Sequence, residues 1–551
     1  MSLKIYKFFL RITPKIFKIK RGSKELRLAC KFYQLNCEEV LSKYFSSILI
    51  ALILTPFLII FLKLVSIPIL LILYVYPFFL SEYPKILYHR KMAEEFEELP
   101  YFLSALSASY STTHNFEKSF EDCRKFFSEN SIIAKLHKEI SKRKEEGRER
   151  ILIDDPDLAP YFDFINLSFK AGRRRKSEVI KEGFRIFMER VRKEKIKGIG
   201  KLYFQIVLLF LCSCVVPLIL ISSYPVIFLI VKGATKYLIL LIFFIVVGFL
   251  SLVLSSNLKH EARQITEKIE KRGKFNKTLL VIPIAISFPS ILFSFSYFGI
   301  FVKIKILDLI GLDFIPISFS ILIFLYLNSK YRPALRVEKK VKEENEKLIT
   351  FLQGMESYLK MGMSPELALR KVLEEENLNT EKIESKNFSI ALKRILDFRE
   401  KGKEVITSFC RTFREILRTI GEVKEEIIKK VYSIANSLKF TAIFILPFLG
   451  ALVIKISFMI FSVYHKSYSM IREVQLPIFF PSIGTAMEKK EMYLLSLLLH
   501  FYIIFISYLM LDLATYLEKG EVPSSKIEVG KGVLITSLLF TIITIALRGV
   551  G

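Results

Sequence analysis

The sequence predicts an all-α, polytopic membrane protein with about nine transmembrane helices and two homologous cytoplasmic helical-bundle domains. Three observations carry this expectation. The first is segregation: 52% of the 551 residues are hydrophobic and 25% charged, yet mean hydropathy reaches +0.39. Long apolar runs alternate with long charged runs, as in a chain that crosses a bilayer repeatedly. The second is an internal duplication between residues 95–120 and 344–369. The third is a formal net charge of +28 that crowds beside the apolar runs. That placement matches the excess of Lys and Arg on the cytoplasmic side of membrane proteins better than a nucleic-acid surface, so no nucleic acid is expected.

The chain opens with a Lys/Arg-rich segment, 1–44, interleaved with Phe, Ile and Tyr. It reads equally well as a helix on the anionic inner leaflet or as a solvated tail. It is too long for a secretory signal, so the first span is read as an uncleaved anchor. Transmembrane helices 1–2 follow in 45–82, with runs at 45–63 and 64–80. Residues 83–202 are charged and helical by pattern and form the first cytoplasmic domain. Residues 203–328 hold helices 3–6, at 203–230, 237–256, 278–302 and 310–327. Residues 329–437 form the second cytoplasmic domain, and 438–551 hold helices 7–9, at 438–463, 492–513 and 533–547. With the N-terminus inside, both domains and the 257–277 loop, with seven basic and three acidic residues, fall in the cytosol. The C-terminus then lies outside, and the expected location is the cell membrane.

The duplication orders everything else. Leu99 aligns with Leu348, Phe102 with Phe351, Leu103 with Leu352, Leu106 with Met355 and Tyr110 with Leu359. Spacings of i, i+3, i+4, i+7 and i+11 place these side chains on one helix face. Each helix then breaks. In the second copy Gly362 ends it, Ser364 caps the next and Pro365 sits in the first turn. In the first copy Thr113 replaces the glycine and Asn115 is the cap, so that end should be less sharp. Further on, Glu146-Gly147-Arg148 parallels Lys401-Gly402-Lys403. Each domain leads into a span carrying a proline, Pro217 or Pro447. Domains facing the same side are related as parallel rather than inverted repeats.

Chemical motifs are absent. The sequence has no G-x-x-x-x-G-K-[ST] loop, no G-x-S-x-G and no H-E-x-x-H, so neither ATP hydrolysis nor another enzymatic activity is expected, and no cofactor. Six cysteines form no C-x-x-C pair, and Cys212 and Cys214 sit in an apolar run, which argues against a disulfide framework or a zinc site. His500 and Lys455 lie inside spans. A proton or substrate path is one reading; a helix–helix hydrogen bond for His500 and snorkelling for Lys455 is the favoured one. Basic clusters are candidate docking points for an acidic partner: Arg173, Arg174, Arg175 and Lys176; Lys401 and Lys403; and Arg411, Arg414 and Arg418 on one helix face. Each reads equally as a solvated helix face.

The repeated Leu-x-x-Phe-Leu helix, followed by Gly-x-Ser/Asn-x-x-x-Ala-Leu and then membrane helices, resembles the type II secretion system F domain family. Its members are the platform proteins of type II secretion, type IV pili and the archaellum. Nine spans, a long basic N-terminus and extra spans between the domains are more similar to the archaeal branch. The first copy departs from the pattern at Thr113 and Phe116. The resemblance implies an integral membrane platform, homodimeric and not an enzyme. Such a platform couples a separate cytoplasmic secretion ATPase to the insertion of pilin-like or archaellin subunits. The competing expectation is a polytopic transporter or permease energised by a separate ATPase.

Overall fold

The computed structural model describes residues 35–62, 99–113, 115–124, 202–215, 217–219, 281–297, 313–378, 382–473, 489–520 and 522–549, with isolated residues elsewhere. Among the described residues the chain is helical, without strands. The elements are α1 (Cys37–Leu62), α2 (Leu99–Thr113), α3 (Phe116–Arg124), α4 (Leu202–Ile219), α5 (Val281–Tyr297) and α6 (Phe314–Lys360). They continue with α7 (Pro365–Glu375), α8 (Lys386–Asp397), α9 (Lys403–Phe440), α10 (Leu446–Glu473), α11 (Lys489–Lys519) and α12 (Pro523–Gly549).

Five described helices are long and apolar enough to cross a membrane: Leu202–Ile219, Phe314–Lys360, Lys403–Ile460, Leu495–Lys519 and Pro523–Leu547. They coincide with expected spans three, six, seven, eight and nine. The expected first span is helical as part of α1, whose N-terminus is capped by the Asn36 side chain accepting from the Glu38 and Glu39 amides. The fifth contains α5, with a shorter apolar stretch at Val281–Ser290. Most of spans two and four lies outside the described residues.

The chain divides into two compact units. The first gathers Met1–Ser46, Pro77–Lys197 and Val337–Lys429. Both charged segments, expected as separate bundles, therefore fall in one unit, and they share one core. The aligned positions are its ribs: Phe102 and Phe351, Leu106 and Met355, and Tyr110 and Leu359 are all buried. The register extends into the next helix, where Cys123 and Val372 occupy matching buried positions. Phe102 meets Phe120 edge-on at 4.9 Å, and Phe351 meets Phe388 at 4.9 Å.

The helix breaks explain themselves locally. Gly362 has φ +93°, where a Cβ is penalised. The Met363 amide donates to the Tyr358 carbonyl and the Gly362 amide to the Leu359 carbonyl, the paired bonds of a Schellman end. Ser364 then accepts from the Leu367 amide, and Pro365 needs no donor at the first position of α7. In the first copy Asn115 Oδ1 accepts from the Lys118 amide at 3.2 Å, so the cap falls at the aligned position. Helix α8 is capped by Ser385, whose amide and that of Glu384 both donate to the buried Glu344 carboxylate on α6, at 2.6 and 2.9 Å.

The second unit gathers Ser47–Tyr76, Gly198–Arg336 and Lys430–Gly551. Its core packs α10, α11 and α12, with side chains from α4. Gly450 lets α10 approach closely, since a Cβ there would stand 2.4 Å from Ile503 Cδ1 on α11 and 3.1 Å from Phe540 on α12.

Candidate functional site

In the first unit the candidate docking residues turn out to be partly committed inward. Arg411 donates to the Glu356 carboxylate at 2.9 Å, and Arg414 lies 3.0 Å from its other oxygen. Lys360 completes the hub at 2.7 Å. The Glu356 side chain is 6% exposed, so the carboxylate is desolvated and its three cations compensate for that. Burial pushes the Glu356 carboxyl upward, but the bonds from Lys360 and Arg411 and the charge of Arg414 outweigh it and hold it below the usual carboxylate range. Of the arginine face, only Arg418 is exposed without this tether. Lys401 bonds Asp122 at 2.8 Å, tying the turn before α9 to α3 of the first copy. It also lies 5.8 Å from the Phe398 ring. Lys403 opens α9 and is exposed. Arg173, Arg174, Arg175 and Lys176 lie outside the described residues, as does the stretch from Glu146 to Arg150.

In the second unit the two spans that follow the charged segments, with Pro217 and Pro447, share a feature the sequence did not show. A π-helical turn occupies Leu211–Val215 in α4, ending two residues before Pro217. Another occupies Thr441–Ile445, ending two residues before Pro447. Proline cannot donate to the carbonyl behind it, and its ring crowds that carbonyl, so the turn widens. The Leu446 amide reaches back to the Thr441 carbonyl, which leaves the next carbonyl, Ala442, facing a proline with no N–H. Side chains from neighbouring helices take it up: Ser507 on α11 donates at 3.2 Å, and Thr536 on α12 lies at 3.1 Å. At the other break, the Tyr502 hydroxyl on α11 donates to the Ser213 carbonyl at 2.6 Å. Within hydrocarbon each freed carbonyl needs such a partner. Helix α11 therefore holds both proline breaks.

Other polar groups in this unit are also engaged. His500 Nε2 lies 2.9 Å from Ser537 Oγ, both buried, which is the helix–helix bond expected for it. Lys455 is half-buried and donates to the Leu547 carbonyl at 2.7 Å, near the end of α12, where helix carbonyls lack amide partners. Ser496 donates to buried Asp313 at 3.1 Å. At the other end of α11, Asp512 pairs with Lys259 and with Lys526, the latter at 2.7 Å. Lys439 bridges Glu518 and Glu528, and Lys519 joins the same Glu528. The hydroxyls of Tyr502, Ser507 and Thr536 and the carboxylate of Asp512 were missed as candidates. The only signal for them was polarity inside otherwise apolar runs.

Among the described residues no group of three or more His, Cys, Asp or Glu side chains is placed to hold a metal ion. Comparison with known proteins gives no further guide: no protein-family model, no curated protein and no solved structure matches the chain.

Proposed function

We propose that the chain is an integral membrane platform of a type IV pilus-like filament or secretion machine. In this reading nine spans anchor two related cytoplasmic segments, and a separate cytoplasmic ATPase acts on those segments to drive insertion of pilin-like or archaellin subunits. The observation that carries the reading is the recurrence of matched elements. The aligned positions of both copies are buried in one core, both second helices are capped at the same aligned residue, and both following spans break at a proline. A duplicated helical body feeding two similarly broken spans suits a part that relays motion between a motor and a filament. The exposed Arg418 and Lys403, with Arg173 to Lys176, remain the proposed contact points for the ATPase. The platform functions as a homodimer in the cell membrane, with the N-terminus and the charged segments inside and the C-terminus outside.

The test is deletion of the gene, followed by electron microscopy of surface filaments, and co-purification of the full-length chain with the cell's secretion ATPase. Loss of filaments together with ATPase capture is the expected result. Intact filaments and no captured ATPase would overturn the reading. The transporter alternative draws on buried His500 on α11 and on buried Asp313, which precedes α6 and bonds Ser496 of α11, and solute uptake by reconstituted vesicles above empty controls would favour it instead.

A further inference from the structure

Helix α6 changes character along its length, and the place where it does so holds a cleft. The described lining is Leu325, Asn328, Ser329, Arg332, Pro333 and Arg336, around a volume of about 570 Å³. Spacings of i, i+3, i+4, i+7 and i+11 put Leu325, Asn328, Ser329, Arg332 and Arg336 on one face. At 1.5 Å per residue, Leu325 stands roughly 17 Å from the helix start at Phe314, Arg332 roughly 27 Å and Arg336 roughly 33 Å. A hydrocarbon core is about 30 Å thick. If α6 crosses it, Leu325 lies among acyl chains and both guanidiniums lie at headgroup level. The neighbouring side chains agree with that depth. Lys330 sits 4.9 Å from the Tyr326 ring and 5.7 Å from the Tyr331 ring, a pairing of aromatics and cation suited to the interface.

Both arginines are exposed, and among the described residues neither pairs with a carboxylate. None of the described lining residues is acidic. The cleft thus presents two planar, permanently charged forks, two polar side chains and then an apolar floor, in the order in which a lipid presents phosphate, glycerol and acyl chain. We propose that this cleft binds an anionic phospholipid of the inner leaflet, with Arg332 and Arg336 on the phosphate and Leu325 against the first acyl carbons. The site requires that α6 spans the bilayer with its charged end toward the cytosol, and it does not depend on the filament or ATPase part of the platform reading.

The test uses the full-length chain released from nanodiscs and analysed by native mass spectrometry, comparing retention of phosphatidylglycerol with phosphatidylcholine. Two surface charges correspond to roughly a thirtyfold preference for the anionic lipid. R332Q/R336Q should abolish that preference. K342Q/K429Q removes the same charge from exposed positions elsewhere and should keep it. R332K/R336K retains charge without the fork and should keep part of it, which holds the test open if the glutamine pair misfolds. A preference that survives R332Q/R336Q, or falls equally in the lysine control, would overturn the proposal. So would full displacement of the lipid by millimolar inorganic phosphate, which would mark a site for the free ion.

Discussion

Replacing Glu356 by Gln should lower the melting temperature of the detergent-purified chain at neutral pH, and the structure sets the size of the effect. Breaking a fully buried ion pair costs about 3–5 kcal/mol. Here the carboxylate is 6% exposed, but Lys360 is 54% and Arg411 45% exposed, so their pairings are screened and weigh little. Arg414, at 22%, is the partner that loses most. The discounted cost is about 2 kcal/mol, or roughly 4–8 °C for a unit of this size. The pH dependence gives a second, independent reading. The carboxyl is held below its usual value in the folded chain. Its contribution is therefore complete above the ordinary glutamate value of about 4.3 and is lost as pH falls through the lower, folded value. Wild type and E356Q should differ fully at pH 7 and converge in acid. Fluorescence-detected size-exclusion melting across that range measures both. Coincident curves at pH 7, or a gap that persists unchanged into acid, would refute the hub as a stabilising element.

Three further outcomes follow. Tyr502→Phe and Thr536→Val each remove a hydroxyl from a carbonyl freed by proline; each should cost about 0.6–1.7 kcal/mol in reversible unfolding in mixed micelles. If neither shifts the transition, the carbonyls have other partners. Gly362→Ala should destabilise by about 1–2 kcal/mol through its positive φ alone, since nothing lies within 4 Å of the added Cβ. Gly450→Ala acts instead through contact with Ile503, so I503V should rescue it in part and leave G362A unimproved. Finally, cysteines placed at exposed Glu117 and Gln353 should react with an impermeant maleimide only from the cytosolic side. Native Cys123 and Cys410 should stay unlabelled until unfolding, because burial pushes the Cys123 thiol up to about 12 and the Cys410 thiol upward likewise. Labelling of the two introduced cysteines from opposite sides would exclude the parallel arrangement.

Local features were legible because the sequence itself contains the cause. Ser364 and Asn115 cap helices by bonding amides three residues on, and Gly362 accepts a conformation that other residues avoid. The face from Leu348 to Leu359 follows from spacing alone. What spacing cannot supply is the neighbour. Arg411, Arg414 and Arg418 were correctly placed on one side of α9, but whether that side meets water depends on Glu356, 55 residues earlier on another helix. Asp512 and Lys259 are 253 residues apart. Nor does composition foretell that two segments long enough for separate cores share one. The register recurs within each copy: Gly354 stands where Val372 Cγ2 would meet a Cβ at 3.1 Å, and the aligned positions in the first copy, Ala105 and Cys123, are both buried.

The proline breaks tie this duplication to the second unit by a separate route. A proline in a span could be tolerated by a simple kink, with the freed carbonyl bonded to water, as in a soluble helix. Within a bilayer that option disappears, and the carbonyl must find a hydroxyl or an amide in the protein. Both breaks find one on α11, a helix outside either copy. Among the described residues the hydroxyls that bond the two breaks come from α11 and, at Ala442, also from α12, both outside the two copies. Tyr502 and Ser507 lie five residues apart on that helix, so a shift of α11 along its axis would strain both breaks at once, whereas a movement confined to one break would leave the other bond intact. Separate substitution of Tyr502 and Ser507, followed by the double change, distinguishes the two cases. Additive losses mean independent latches, and a coupling energy of about 0.5 kcal/mol or more means that α11 links them.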